Sequence, residues 1–93
     1  METRSRLHAI VHGYVQGVGF RAFAAREGRR LGVAGWVRNR ADSAVEVVAE
    51  GERAAVEELL RSLKRGPSEA EVQRVEEQWE AAQGTLSGFQ VRY

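Results

Sequence analysis

Six consecutive residues, Gln16-Gly17-Val18-Gly19-Phe20-Arg21, place two glycines and an arginine between a strand-like and a helix-like stretch. Glycines at 17 and 19 allow positive φ and a close approach of the backbone to a ligand. The first turn of a helix carries unpaired N–H groups and a partial positive charge, so it attracts anions. Successive N–H groups in such a loop can form a nest around phosphate oxygens. Arg21 falls in that first turn, and its planar guanidinium can meet two phosphate oxygens at once. The spacing is neither the Walker pattern, which needs Gly-Lys-Ser/Thr, nor the dinucleotide pattern, which needs a third glycine. The residues alone leave two readings open. One is an anion cradle. The other is a tight strand-to-helix turn with Arg21 in solvent.

Other chemistry-bearing residues are sparser. Asn39 is the chain's sole asparagine and stands near the end of a strand-like run. Asparagine there can cap a turn or offer an amide to a ligand. His8 and His12 lie four apart on a strand, about 13 Å at about 3.3 Å per residue, too far to share one metal. They are expected to be structural or solvent-facing. Arg38 and Arg40 flank Asn39 and are expected to be solvated, where they would draw anions inward. Trp36 and Trp79 are expected in the core or on the sheet surface, and Glu57 and Glu58 on a helix surface.

The elements that must position these residues follow from periodicity. Leu7 to Val15 alternates, with Leu7, Ala9, Val11, Gly13 and Val15 on one face, and reads as a strand. Phe20, Phe23, Ala24, Glu27 and Leu31 recur at helical spacing and stop at Gly32. Val33 to Asn39 and Ala44 to Glu50 read as two strands joined by a polar turn, hence an antiparallel hairpin. Residues Glu52 to Arg65 carry the i, i+3, i+4, i+7 stripe Val56, Leu59, Leu60 and Leu63, closed by Gly66-Pro67. Gly88 to Tyr93 alternates Phe89, Val91 and Tyr93, a short strand. Residues 68–82 conflict. Val72, Val75, Trp79 and Ala82 have helical spacing, and the composition favours helix. A third helix, however, would leave the sheet without a partner strand, so a strand over Glu71 to Glu80 is expected. The order becomes βαββαβ plus a terminal strand: an α+β two-layer sandwich, with two helices on one face of an antiparallel sheet.

Composition narrows the classes. The chain has 93 residues, consistent with one domain spanning 1–93. A domain this size buries only about 60–65 per cent of its unfolded surface, so one thin core is expected. The formal charge of +1 offers no electrostatic case for nucleic acid or an anionic membrane as partner. The absence of cysteine excludes disulfides, thiolate nucleophiles and cysteine metal sites. The polar start, Met1 to Arg6, lacks the apolar core of a signal peptide. No apolar run approaches the ~20 residues that span a bilayer. A soluble cytoplasmic protein is expected, and a monomer, because no large unpaired apolar face is evident. Thirteen arginines against one lysine, with a single asparagine, fit heat adaptation or genome composition equally.

Two segments carry a family resemblance. Gly13-Tyr14-Val15-Gln16-Gly17-Val18-Gly19-Phe20-Arg21 resembles the first signature of the acylphosphatases. Gly35-Trp36-Val37-Arg38-Asn39, with Val45, Glu46 and Gly51, resembles the second, and Gly88-Phe89 also fits. The resemblance spans nearly the whole chain. It implies a ferredoxin-like βαββαβ fold and hydrolysis of the carboxyl-phosphate bond of acyl phosphates, with no metal or cofactor. It further implies that the amides of Gln16, Gly17, Val18, Gly19, Phe20 and Arg21, with the Arg21 side chain, bind the phosphoryl group, and that Asn39 orients the attacking water. The hairpin departs from the family: Asp42 is followed by Ser43 instead of glycine, so the turn is expected to change type, and Ala41 stands where proline is anticipated.

Such a reaction needs little else. The leaving carboxylate has a conjugate acid of pKa about 4, so no general acid is required. The demands are to stabilise charge on the equatorial phosphoryl oxygens and to align water. Other functions compete. A binding module of the same fold, RNA-recognising or ligand-sensing, would want basic and aromatic central strands, but Glu46 and Glu50 are acidic. A carbamoyl-phosphate-handling module of a larger maturation protein would come with a partner domain, and none is expected here within 93 residues.

Overall fold

A computed structural model of the protein describes residues 3–93; Met1 and Glu2 of the polar N-terminal segment lie outside the described residues. The elements run β1 (Arg4–Tyr14), α1 (Phe20–Arg30), β2 (Ala34–Asn39), β3 (Val45–Glu52), α2 (Arg53–Arg65), β4 (Glu71–Ala81) and β5 (Phe89–Arg92). The sheet order is β4-β1-β3-β2-β5. The four strands of the βαββαβ unit pair antiparallel, as expected. The added β5 lies parallel to β2, so the complete sheet is mixed. Both helices cover one face. Two helices over a sheet whose first four strands follow the βαββαβ order form the ferredoxin-like α+β arrangement that the resemblance implies.

The core forms where the periodicity placed it. Leu7, Ala9 and Val11 of β1 and Val45, Val47 and Ala49 of β3 are fully shielded from solvent. They meet Phe20 and Ala24 of α1 and Val56, Leu59 and Leu63 of α2. Phe89 of β5 joins the same cluster. It fits because position 28 on α1 is glycine: a Cβ there would stand 2.4 Å from the Phe89 ring.

β4 is a strand despite its helical composition, and a β-bulge explains the misleading pattern. His12 pairs with Arg74 and Gly13 with Val72, so Gln73 is an extra residue. The insertion flips the side-chain alternation between Val72 and Val75. Val72, Val75 and Trp79 therefore all pack against the core from one face. An i, i+3 spacing that looks helical is here strand, bulge, strand.

The opposite face of the sheet is polar and paired. His8 Nε2 lies 2.6 Å from Glu46 Oε2, and Arg38 Nε donates to Glu46 Oε1 at 2.6 Å. His12 Nε2 lies 2.5 Å from Glu76 Oε2. Trp36 lies near Arg38 and Arg92, whose Cζ atoms are 5.7 and 4.6 Å from its ring centroid. Both histidines are thus structural partners of carboxylates.

The hairpin turn does not avoid the strained conformation. Ser43 takes φ 75, the one non-glycine at positive φ among the described residues. Its N–H donates to the Arg40 carbonyl at 3.3 Å, and the Arg40 N–H donates to Ala44 O at 2.8 Å. Asp42 accepts from the Ala44 N–H at 3.2 Å and from Arg40 Nη2 at 2.8 Å. Closing the hairpin in this register holds Ser43 left-handed.

Candidate active site

Four stretches of the chain converge on one cavity of about 190 Å³. The β1–α1 loop contributes Gly17 and Gly19, and the start of α1 contributes Phe20, Arg21 and Ala22. Asn39 enters from the end of β2, with Val91 and Tyr93 from the β5 segment and Val15 from the residue that follows β1.

The loop is built to face backbone into this cavity. Gly17 and Gly19 take φ 75 and 77, and an added Cβ at either would meet nothing within 4 Å. Glycine is therefore required by conformation and not by crowding. Gly19 caps α1 in the left-handed region, and its carbonyl accepts from the Phe23 N–H at 3.0 Å. No side chain caps the helix, and its first turn holds no acidic residue. The N–H groups there and their positive end of the helix dipole are left to the cavity.

Six loop residues were expected at the phosphate, and they divide into three kinds. Gly17, Gly19, Phe20 and Arg21 line the cavity. Phe20 is buried with its ring in the core, so its contribution to the cavity is its backbone. Val18 packs partly buried against the core. The Gln16 side chain turns away: its Nε2 donates to the carbonyls of Arg40 at 2.8 Å and Ala44 at 2.9 Å. Gln16 thereby ties the loop to the turn that follows Asn39. Sequence reasoning missed this; the sole signal was a long amide beside a glycine in a loop.

Arg21 Nη1 donates to the Arg92 carbonyl at 3.5 Å, and its guanidinium lies 4.7 Å from the Tyr93 ring centroid. Of the neighbouring arginines, Arg38 pairs with Glu46 and Arg40 with Asp42, so neither is committed to the cavity. Burial alone would raise the Glu46 carboxyl pKa, but hydrogen bonds from His8 and Arg38 outweigh it and hold the group below its ordinary value. Val15, Ala22, Val91 and Tyr93 were not anticipated as lining residues. Only the alternation Phe89, Val91, Tyr93 hinted that the last two share a face. Among the described residues no group of three or more His, Asp or Glu could hold a metal ion, and no helix is long and apolar enough to cross a membrane.

A glycine loop, an arginine in the first helical turn and an asparagine at a strand end, gathered at one small cavity, match a known enzyme family. The Acylphosphatase family model covers residues 7–91. The chain belongs to the acylphosphatase family. It is 55 % identical to the acylphosphatase of Anaeromyxobacter sp. strain Fw109-5 over 93 residues, the whole of both chains. The solved acylphosphatase of Bacillus subtilis superposes with a TM-score of 0.92 at 34 % identity, over 96 % of this chain and 99 % of that one. The chain is also similar to one segment of T. kodakarensis HypF, with a TM-score of 0.82 at 32 % identity, over 95 % of this chain but 12 % of that one. As an acylphosphatase-family hydrolase, the protein cleaves acyl phosphates to carboxylate and phosphate.

Proposed function

We propose how this chain divides that hydrolysis among its residues. The 16–21 loop and the Arg21 guanidinium hold the phosphoryl group, and Asn39 places the attacking water. The observation that supports this reading is the convergence of Gly17, Gly19, Phe20, Arg21 and Asn39 on one cavity. Amides and guanidinium act on charge that spreads over the three equatorial phosphoryl oxygens. The asparagine carbonyl accepts a hydrogen bond from water, and being neutral it does not repel a phosphoryl dianion as a carboxylate would. A phosphoryl oxygen of the substrate then takes the water's proton. The carboxylate departs without protonation.

Hydrolysis of benzoyl phosphate with a chelator present tests the assignment. Arg21→Ala is expected to lose about 10²–10³ in kcat, the cost of removing one main donor to developing oxyanion charge, and to weaken inhibition by inorganic phosphate. Asn39→Ala is expected to lose kcat on the same scale while phosphate inhibition changes by less than about threefold. Unchanged turnover in either variant removes that residue from the mechanism. A pH–rate profile that reports an essential enzyme group near about pH 6.5 would overturn proton transfer to the substrate.

The same reading takes the chain as one domain, working as a cytoplasmic monomer on a small-molecule substrate with no nucleic-acid partner. The ion-paired, partly acidic open face supports the last point. Sedimentation and cell fractionation test the rest.

A further inference from the structure

Tyr93 is fully exposed, so it adds little to the core. Its ring nevertheless has a defined neighbour, the Arg21 guanidinium, with Cζ 4.7 Å from the centroid. The residue before it supplies a second hold, since the Arg92 carbonyl accepts from Arg21 Nη1 at 3.5 Å. The side chains of Arg92, the last residue of β5, and of Tyr93, just beyond it, diverge. Arg92 points to the open face, where its guanidinium lies 4.6 Å from the Trp36 ring centroid. Tyr93 points to the other side and lines the cavity. The end of the strand is thus gripped on one face of the sheet and reaches the site arginine on the other.

We propose that Tyr93, with the Arg92 carbonyl, is a positioning element for Arg21. A stacked ring uses the face of a guanidinium, whereas oxyanions use its edge. The two therefore do not compete. An arginine already held over the ring and by the Arg92 carbonyl has fewer rotamers to lose when a phosphoryl group meets its free N–H groups, and preorganised donors stabilise developing charge best. Tyr93 acts through Arg21 and is not itself a catalytic residue. This inference rests on the reading of Arg21 as the phosphate-holding side chain.

The test measures inorganic phosphate binding by calorimetry and benzoyl phosphate turnover in the parent and in Tyr93→Ala, Tyr93→Phe, Arg21→Ala and the Arg21→Ala/Tyr93→Ala double variant. Tyr93→Ala should weaken phosphate binding about 2–5-fold, the range of an exposed cation–π contact, and lower kcat/KM at least as much. Tyr93→Phe keeps the ring and should restore both to within about twofold of the parent. On the Arg21→Ala background, Tyr93→Ala should add nothing. If Arg21→Ala binds phosphate as tightly as the parent does, the assignment of Arg21 itself fails. If Arg21→Ala weakens binding but Tyr93→Ala does not, that assignment stands and the positioning role is overturned. An equal loss from Tyr93→Ala on both backgrounds also overturns it, because the ring would then act on the ligand directly.

Discussion

At the scale of single residues, the site depends on side chains whose neighbours fix their direction. Arg21 sits in the first turn of a helix whose N-terminal charge no acidic side chain offsets. Gln16 spends its amide on the carbonyls of Arg40 and Ala44, which sets the distance from loop to turn. The same turn stores local strain. Ser43 at φ 75 carries the cost of a non-glycine in the left-handed region, about 1–2 kcal/mol per residue. Ser43→Gly removes that cost and adds back some unfolded-state entropy. A net gain of about 0.5–1 kcal/mol is expected, read as a rise of about 2–8 °C in thermal midpoint. No gain would mean that the serine is not strained. Turnover should be unaltered, because the turn is held from both sides by the Arg40–Ala44 hydrogen bond and the Asp42 carboxylate.

At the scale of elements, β4 shows how one inserted residue decides a fold assignment. The bulge at Gln73 is accommodated because position 13 on β1 has no side chain. Gly13 takes φ 133, and a Cβ there would stand 2.1 Å from the Glu71 carbonyl oxygen and 2.8 Å from the Gln73 nitrogen. Both obstacles are backbone, so nothing flexible can move aside. Gly13→Ala is expected to destabilise by about 2–5 kcal/mol, combining backbone strain with overpacking. Denaturant unfolding measures the loss, and amide exchange should localise the first opening to β4 and its pairing with β1. A loss below about 0.5 kcal/mol would show that the bulge can shift register. The β5 segment is the complementary case. It is short, but Phe89 anchors it in the core, which lets its far end line the cavity.

At the scale of the whole molecule, a buried carboxylate joins distant segments. Glu50 on β3 is 3 % exposed. It accepts from the N–H groups of Gln83 at 2.9 Å and Gly84 at 2.6 Å, and from Arg6 Nη1 on β1 at 3.1 Å. Burial acts to raise its pKa, but the two amides and Arg6 together hold it below its ordinary value of 4.5. A depressed folded-state pKa means that the unfolded chain binds its proton first. The stabilisation is therefore complete above about pH 4.5 and is lost as pH falls through the lower folded value. Glu50→Gln should cost about 1–3 kcal/mol at pH 7, because it breaks charge-assisted bonds and sets an NH₂ against donors. It should also flatten the decline in stability below about pH 4.5. An acid branch identical to the parent's would exclude Glu50 as a contributor.

The family resemblance alone singled out Asn39, whereas the sequence itself marked the strand–helix–strand–strand–helix order, the core stripes of both helices and the glycine loop with Arg21. These are local properties: alternation, helical spacing, and glycines that a ligand-facing backbone requires. Local pattern failed at residues 68–82, and a strand was recovered there only by asking what the sheet lacked. The bulge that produced the false helical spacing depends on Gly13, some sixty residues earlier in the chain, so no window of sequence contains it. Tertiary structure alone decided that β5 runs parallel to β2, that the Gln16 side chain braces the loop instead of facing a ligand, and that Tyr93 reaches Arg21. Each is a contact between residues far apart in the chain, set by which strands become neighbours when the apolar faces are buried together.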